Sequence, residues 1–221
     1  MNRSMTTSTT PDVPAHAQAR AATERDARLQ HGIAWRPAML LGLGSLLLAG
    51  ALYSAIGTGL ARLAFPTQSD GSLMVDGNGE VRGSSLLAQQ FVGDAWFHTR
   101  PSAAGHDPMS AAGSNMARSN PALATRVAEA TAAVARREKV SPAQVPAELA
   151  TQSASGLDPH LSPAAVQIQI ARVAHARNMQ ERALEALVKR HTEAAQWGLL
   201  GQPRVNVMRL NQTLEENAHA R

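Results

Sequence analysis

The chain has 221 residues, a formal net charge of +4, no cysteine, and only 3% aromatic against 44% hydrophobic residues. The missing cysteines exclude disulfides, thiolate metal sites and cysteine nucleophiles. Scattered arginines without stacking aromatics exclude the footprint of nucleic-acid binding.

Residues 1–36, including TTSTTPDVPAHAQARAATERD, lack apolar periodicity and read as a disordered tail. From Pro37 to Ala61 there is no charged residue. At ~1.5 Å per residue that run makes a helix of about 37 Å, long enough to cross a hydrocarbon core of about 30 Å. The span is taken as 37–63, and Gly42, Gly44 and Gly50 along it allow close approach of another helix. Its length and the polar leader before it favour a retained anchor over a cleaved signal peptide. Arg20, Arg25, Arg28 and Arg36 precede the span, whereas after Arg62 the next basic residue is Arg82. The positive-inside rule then places the N-terminus in the cytoplasm and the domain 66–221 outside it.

That domain reads as mixed α/β, rich in helix with few strands, its core built mainly from Ala, Leu and Val. Asp76-Gly77-Asn78-Gly79 between Leu73–Val75 and Glu80–Arg82 predicts a hairpin. Gly83-Ser84 opens a short expected helix carrying Leu86, Leu87 and Phe91, and a long loop then runs to Asn120. Ser119-Asn120-Pro121 starts a helix with Leu123, Val127, Ala130 and Val134 on one face. Ser141-Pro142 begins a short helical piece. Ser162-Pro163 begins a helix whose stripe is Val166, Ile170 and Val173, with Arg172 off the stripe, ended by Asn178. A further helix is expected over 180–196, and β-branched alternation predicts a strand over Arg204–Leu210.

His98 and Arg100 are the most enzyme-like pair, a base and an anion clamp for an anchored hydrolase. No nucleophile elbow or metal-spaced second histidine accompanies them, and hydrogen bonds that hold the long loop are the competing role. Ser153–Pro163, SASGLDPHLSP, raises two readings. Amides at the start of the Pro163 helix would cradle phosphate, although no lysine is present and Asp158 repels an anion. Alternatively Asp158 and Ser162 cap turns and helix ends in a rigid joint.

The blocks GSSLLAQQF (83–91), WFHTRPSA (96–103), GSNMARSNP (113–121), TQSASGLDPHLSPAAVQIQIARVAHARN (151–178) and LGQPRVNVMRLN (200–211) stand in the order of one family. From Pro37 onward the chain resembles the C subunit of the bacterial Kdp potassium-transporting P-type ATPase. The resemblance implies an accessory, non-catalytic subunit of an inner-membrane complex. Its partners would be a channel-like subunit that selects potassium and a P-type ATPase subunit that hydrolyses ATP. It further implies a catalytic chaperone that raises the ATP affinity of the ATPase subunit, with no cofactor of its own and ATP only through the complex. The stretch tied to nucleotide maps to Ser153, Ser155, Gly156, Leu157 and Asp158. The other blocks carry His98, Arg100, Pro101, Ser114, Asn115, Ser119, Asn120, Pro121, Pro203 and Asn206 as structural or interaction residues. Ala154, Thr99 and Ala112 stand where relatives commonly carry glycine. Direct ATP binding by this loop and an exported domain exclude one another in the assembled complex, and the charge bias favours the exported domain.

Overall fold

A computed structural model describes residues 14–20, 23–24 and 35–219. Most of the tail expected over 1–36 lies outside these residues. Of its described part, 15–20 is helical, as the good helix formers of AHAQAR allow. The chain divides between Ala64 and Phe65 into two units.

In the first unit, α1 (Trp35–Ala64) is long and apolar enough to cross a membrane, and none of its residues is buried. Leu48–Leu52 forms a π-helical turn within it.

The second unit opens with the short α2 (Pro66–Ser69), then β1 (Leu73–Val75) paired antiparallel with β2 (Val81–Ser84). Asp76 closes this hairpin: its Oδ1 accepts the Asn78 and Glu80 amides at 2.9 and 3.0 Å. The helix expected after Ser84 does not form. Its amides have distant partners: Ala88 N–H donates to the Leu157 carbonyl at 2.9 Å and Gln89 N–H to Met208 Sδ at 3.3 Å. A segment whose N–H groups are taken across the fold cannot also close i to i−4 bonds.

Helix α3 (Pro121–Glu138) starts where expected, with Asn120 Oδ1 accepting the Ala122 amide at 3.0 Å. Two 3₁₀ turns, Pro142–Gln144 and Ala147–Leu149, lead to β3 (His160–Leu161). The single helix expected from Pro163 to Asn178 is two, α4 (Pro163–Gln167) and α5 (Ile170–Ala176). At the break, the Gln169 side chain donates to the Ala165 carbonyl at 3.1 Å, while its N–H tightens to Val166 O. Asn178 takes the left-handed conformation expected of a terminator, φ 51°. Helix α6 (Glu181–Arg190) stops short of 196 because Thr192–Glu193 becomes strand β4.

The strand expected over Arg204–Leu210 is strand only at β5 (Arg204–Asn206); Val207–His219 is helix α7. The switch occurs at Asn206, whose Oδ1 accepts the Arg209 amide at 3.1 Å, an N-cap that outcompetes β-branched alternation. β5 lies between β3 and β4, antiparallel to both, with His160 opposite Asn206 and Thr192 opposite Val205. One core joins this sheet to α4, α5, α6 and α7 through Leu161, Val166, Ile170, Val173, Leu184, Val205 and Leu210, with Phe97 fully buried among them.

Candidate functional site

The quoted sequence blocks converge on the loop 151–159. Ser153 is buried, and its N–H donates to the Pro101 carbonyl at 3.0 Å. Its hydroxyl lies 3.2 Å from Ser155 Oγ and accepts the Gly156 amide at 3.2 Å, while Ser155 Oγ accepts the Leu157 amide at 3.1 Å. Asp158 Oδ1 accepts the His160 amide at 3.0 Å. Gly156 has φ +73°, and a Cβ there would stand 2.8 Å from the Ala112 carbonyl oxygen. A Cβ on Gly113 would stand equally close, 2.8 Å, to the Ala154 carbonyl oxygen. Gly113 and Gly156 are therefore where two loops touch backbone to backbone. Ala154 and Ala112 carry their methyl groups on exposed sites.

Arg100 reaches the same loop. Its Nη1 is 3.5 Å from Asp158 Oδ2, and Nη2 donates to Thr151 Oγ1 at 3.4 Å and to the Gln152 carbonyl at 3.3 Å. Arg100 Nε and Gln152 Oε1 are buried without a hydrogen-bond partner. The His160 side chain beside Asp158, then the His160 amide and the Arg100 charge, hold the Asp158 carboxyl below its ordinary range against the opposing effect of burial. The loop borders an open cleft of about 560 Å³ that is also lined by Leu86 and Leu87.

The helix start that would receive an anion already has one. Glu148 accepts from the Ser162 amide, at 3.1 Å to Oε1, and from the Ser162 hydroxyl, which in turn accepts the Ala165 amide at 3.2 Å. A carboxylate satisfies the N-terminal donors as a phosphate would.

His98 and Arg100 do not act on a common point. The His98 ring meets the Gly93 carbonyl at 3.0 Å, and burial first, then the Arg137 charge, lowers its pKa. Its backbone is clamped by Gln169, which accepts His98 N–H at 2.8 Å and donates to His98 O at 3.2 Å. Asn211 does the same for Phe97, at 3.0 and 2.9 Å. Gln169 and Asn211 were missed from sequence, although Gln169 falls three residues after Val166 on the expected apolar stripe; Asn211 lies three before buried Leu214 in α7, where a strand was expected to end. Arg172, placed off the stripe by spacing, has a side chain only 7% exposed. It binds Glu138 at 2.9 Å and the Asp94 and Trp96 carbonyls at 2.7 and 2.9 Å.

The remaining motif residues have separate tasks. Ser114 Oγ accepts from Arg126 at 3.2 Å, and Asn115 takes φ 51°. Asn120 and Pro121 start α3, with exposed Ser119 ahead of them. Pro203 is exposed before β5, and buried Asn206 donates to the Ser85 carbonyl at 2.7 Å. In α1 a Cβ on Gly42, Gly44 or Gly50 would meet nothing within 4 Å. Among the described residues no group of three or more His, Asp or Glu side chains is placed to hold a metal ion.

An apolar helix long enough to cross a membrane, followed by a domain whose motif residues chiefly join its own loops, describes a single-domain protein with one candidate membrane helix among the described residues. The family described as KdpC, K+-transporting ATPase, c chain, matches residues 35–216. The potassium-transporting ATPase KdpC subunit of Xanthomonas campestris pv. campestris (strain B100) is 51% identical over 180 residues, covering 81% of this chain and 86% of that protein. The subunit of the same name from Pseudomonas putida (strain GB-1) is 49% identical over 184 residues, covering 83% and 97%. The chain belongs to the KdpC family and is a subunit of a potassium-transporting ATPase.

Proposed function

We propose that this chain is a non-catalytic accessory subunit of an ATP-driven potassium uptake complex in the inner membrane. It assembles with a potassium-selecting channel-like subunit and a P-type ATPase subunit, its N-terminus cytoplasmic and the domain 66–221 outside. There it supports assembly and stability and raises the ATP affinity of the ATPase subunit through the membrane helix, without touching nucleotide. The observation behind this reading is the use of the loop's polar groups. Ser153, Ser155, Gly156, Leu157 and Asp158 direct hydrogen bonds and charge to Pro101, Arg100, His160, Ala88 and one another, and Glu148 occupies the neighbouring helix start.

Orientation tests it. The chain has no native cysteine, and Ala154 is exposed whereas Ser153 beside it is buried. Ala154→Cys in the assembled complex is expected to react with a membrane-impermeant maleimide in intact spheroplasts. Protection until lysis would reverse the orientation and restore direct nucleotide binding at 153–158 as the leading role.

A further inference from the structure

The hairpin joining β4 to β5 has an apolar tip that the domain does not use. From Ala194 to Pro203 no residue is charged, and Trp197, Leu199 and Leu200 are 81%, 86% and 55% exposed. The tip is ordered by its own backbone. Gln196 N–H donates to Leu200 O at 2.8 Å, Leu200 N–H returns to Gln196 O at 3.0 Å, and Gly198 N–H donates to Ala195 O at 2.9 Å. Trp197 sits at φ 54°, a left-handed backbone that bulky residues rarely adopt, so the turn presents the indole outward under strain. A Cβ on Gly198 or Gly201 would meet nothing within 4 Å, so the tip stands clear of the domain.

We propose that this tip inserts into the interfacial layer of the lipid bilayer, a second membrane contact separate from α1. Tryptophan favours the boundary between headgroups and acyl chains, and uncharged leucines beside it add apolar area there. The charges at the root have the matching sign. Lys189 and Arg190 are exposed at the end of α6, and the one acid between Lys189 and Arg204 is Glu193, paired to Arg204 at 3.0 Å. Anionic headgroups attract such a basic collar. The root also adjoins the start of the tethered domain. His191, just before β4, lines the same cleft of about 310 Å³ as Thr67, which is three residues after the last residue of α1. Exposed Phe65 lies between Ala64 and that cleft in sequence. A covalent tether supplies a high effective concentration of bilayer, so a small apolar tip suffices for stable contact. Either leaflet offers this chemistry, and the inference stands independently of the orientation proposed above.

The test uses the full-length chain with Leu199→Cys carrying a nitrobenzoxadiazole fluorophore, a position so exposed that labelling leaves the packing intact. The reference is the same label at Met109→Cys, 91% exposed on another loop. Both are reconstituted into vesicles of phosphatidylethanolamine and phosphatidylglycerol, with and without spin-labelled lipid, and then with the partner subunits. The expected result is blue-shifted emission at position 199 that loses most of its intensity to spin-labelled lipid, with solvent-like, unquenched emission at 109. Emission at 199 that matches 109 overturns the proposal. So does a blue shift at 199 that needs the partner subunits and resists lipid quenching, which would assign the tip to a protein surface.

Discussion

At Gly156 two independent constraints fall on one residue. Its backbone is left-handed at φ +73°, and a Cβ would press to 2.8 Å on the Ala112 carbonyl oxygen and 3.0 Å on Ser102 Oγ. Gly105 has the first constraint without the second: its φ is +61° and a Cβ there meets nothing within 4 Å. Substitution by alanine at Gly105 is therefore expected to cost only the backbone strain, about 1–2 kcal/mol. Gly156→Ala adds displacement of the 111–115 loop and is expected to cost roughly 3 kcal/mol or more. Denaturant unfolding of the detergent-solubilised chain, followed by tryptophan fluorescence, separates the two. Equal midpoints for the two variants would show that the loops are not in contact at this point.

The elements show which signals a single sequence carries. Asn120-Pro121, Ser162-Pro163, Asn178 and the Asp76–Gly79 turn acted through their own side chains and neighbouring backbone, so local reading found them. Strands β3 and β4 are two residues each and exist only because β5, distant in sequence, pairs with both. The segment 85–92 has helical spacing but gives its amides to Leu157 and Met208, which no local pattern reveals. The same limit applied to the site: the block 153–158 stood out in the sequence, but the Ser153 amide is taken by Pro101 and the Ser162 amide that follows the block by Glu148, both across the fold. Glu138 at the end of α3 is another such case. Its side chain is fully buried between Arg137, at 2.6 Å, and Arg172, at 2.9 Å, and through Arg172 it fastens α3 to α5 and to the 94–96 segment. Removing one partner of a buried pair leaves a desolvated charge, so Glu138→Ala is expected to cost about 3–5 kcal/mol. Unfolding midpoints measure it, and a loss under about 1 kcal/mol would mean that water already reaches Arg172.

At the scale of the whole molecule, the anchor and the domain are built on opposite principles. In the domain Gly113 and Gly156 sit at close contacts between loops, whereas Gly42, Gly44 and Gly50 of α1 have open space around each. Glycine weakens a helix by about 1 kcal/mol relative to alanine in a soluble host, and in lipid its compensating value is close approach of a second helix. The chain offers no such helix among the described residues, since α1 is the one long and apolar enough to cross a membrane. Gly42 and Gly44 point to nearly opposite sides of a 3.6-residue helix, so the test of packing against a partner subunit is made at Gly50 alone. Gly50→Leu separates packing from insertion, because leucine improves helix propensity and inserts into the bilayer more favourably than glycine does. The variant is expected to reach the membrane in normal amount, yet to recover fewer partner subunits on co-purification. Loss of partner subunits from a variant that still inserts normally would locate an assembly contact at Gly50, within the π-helical turn. Unchanged co-purification would move the assembly contacts to the domain 66–221.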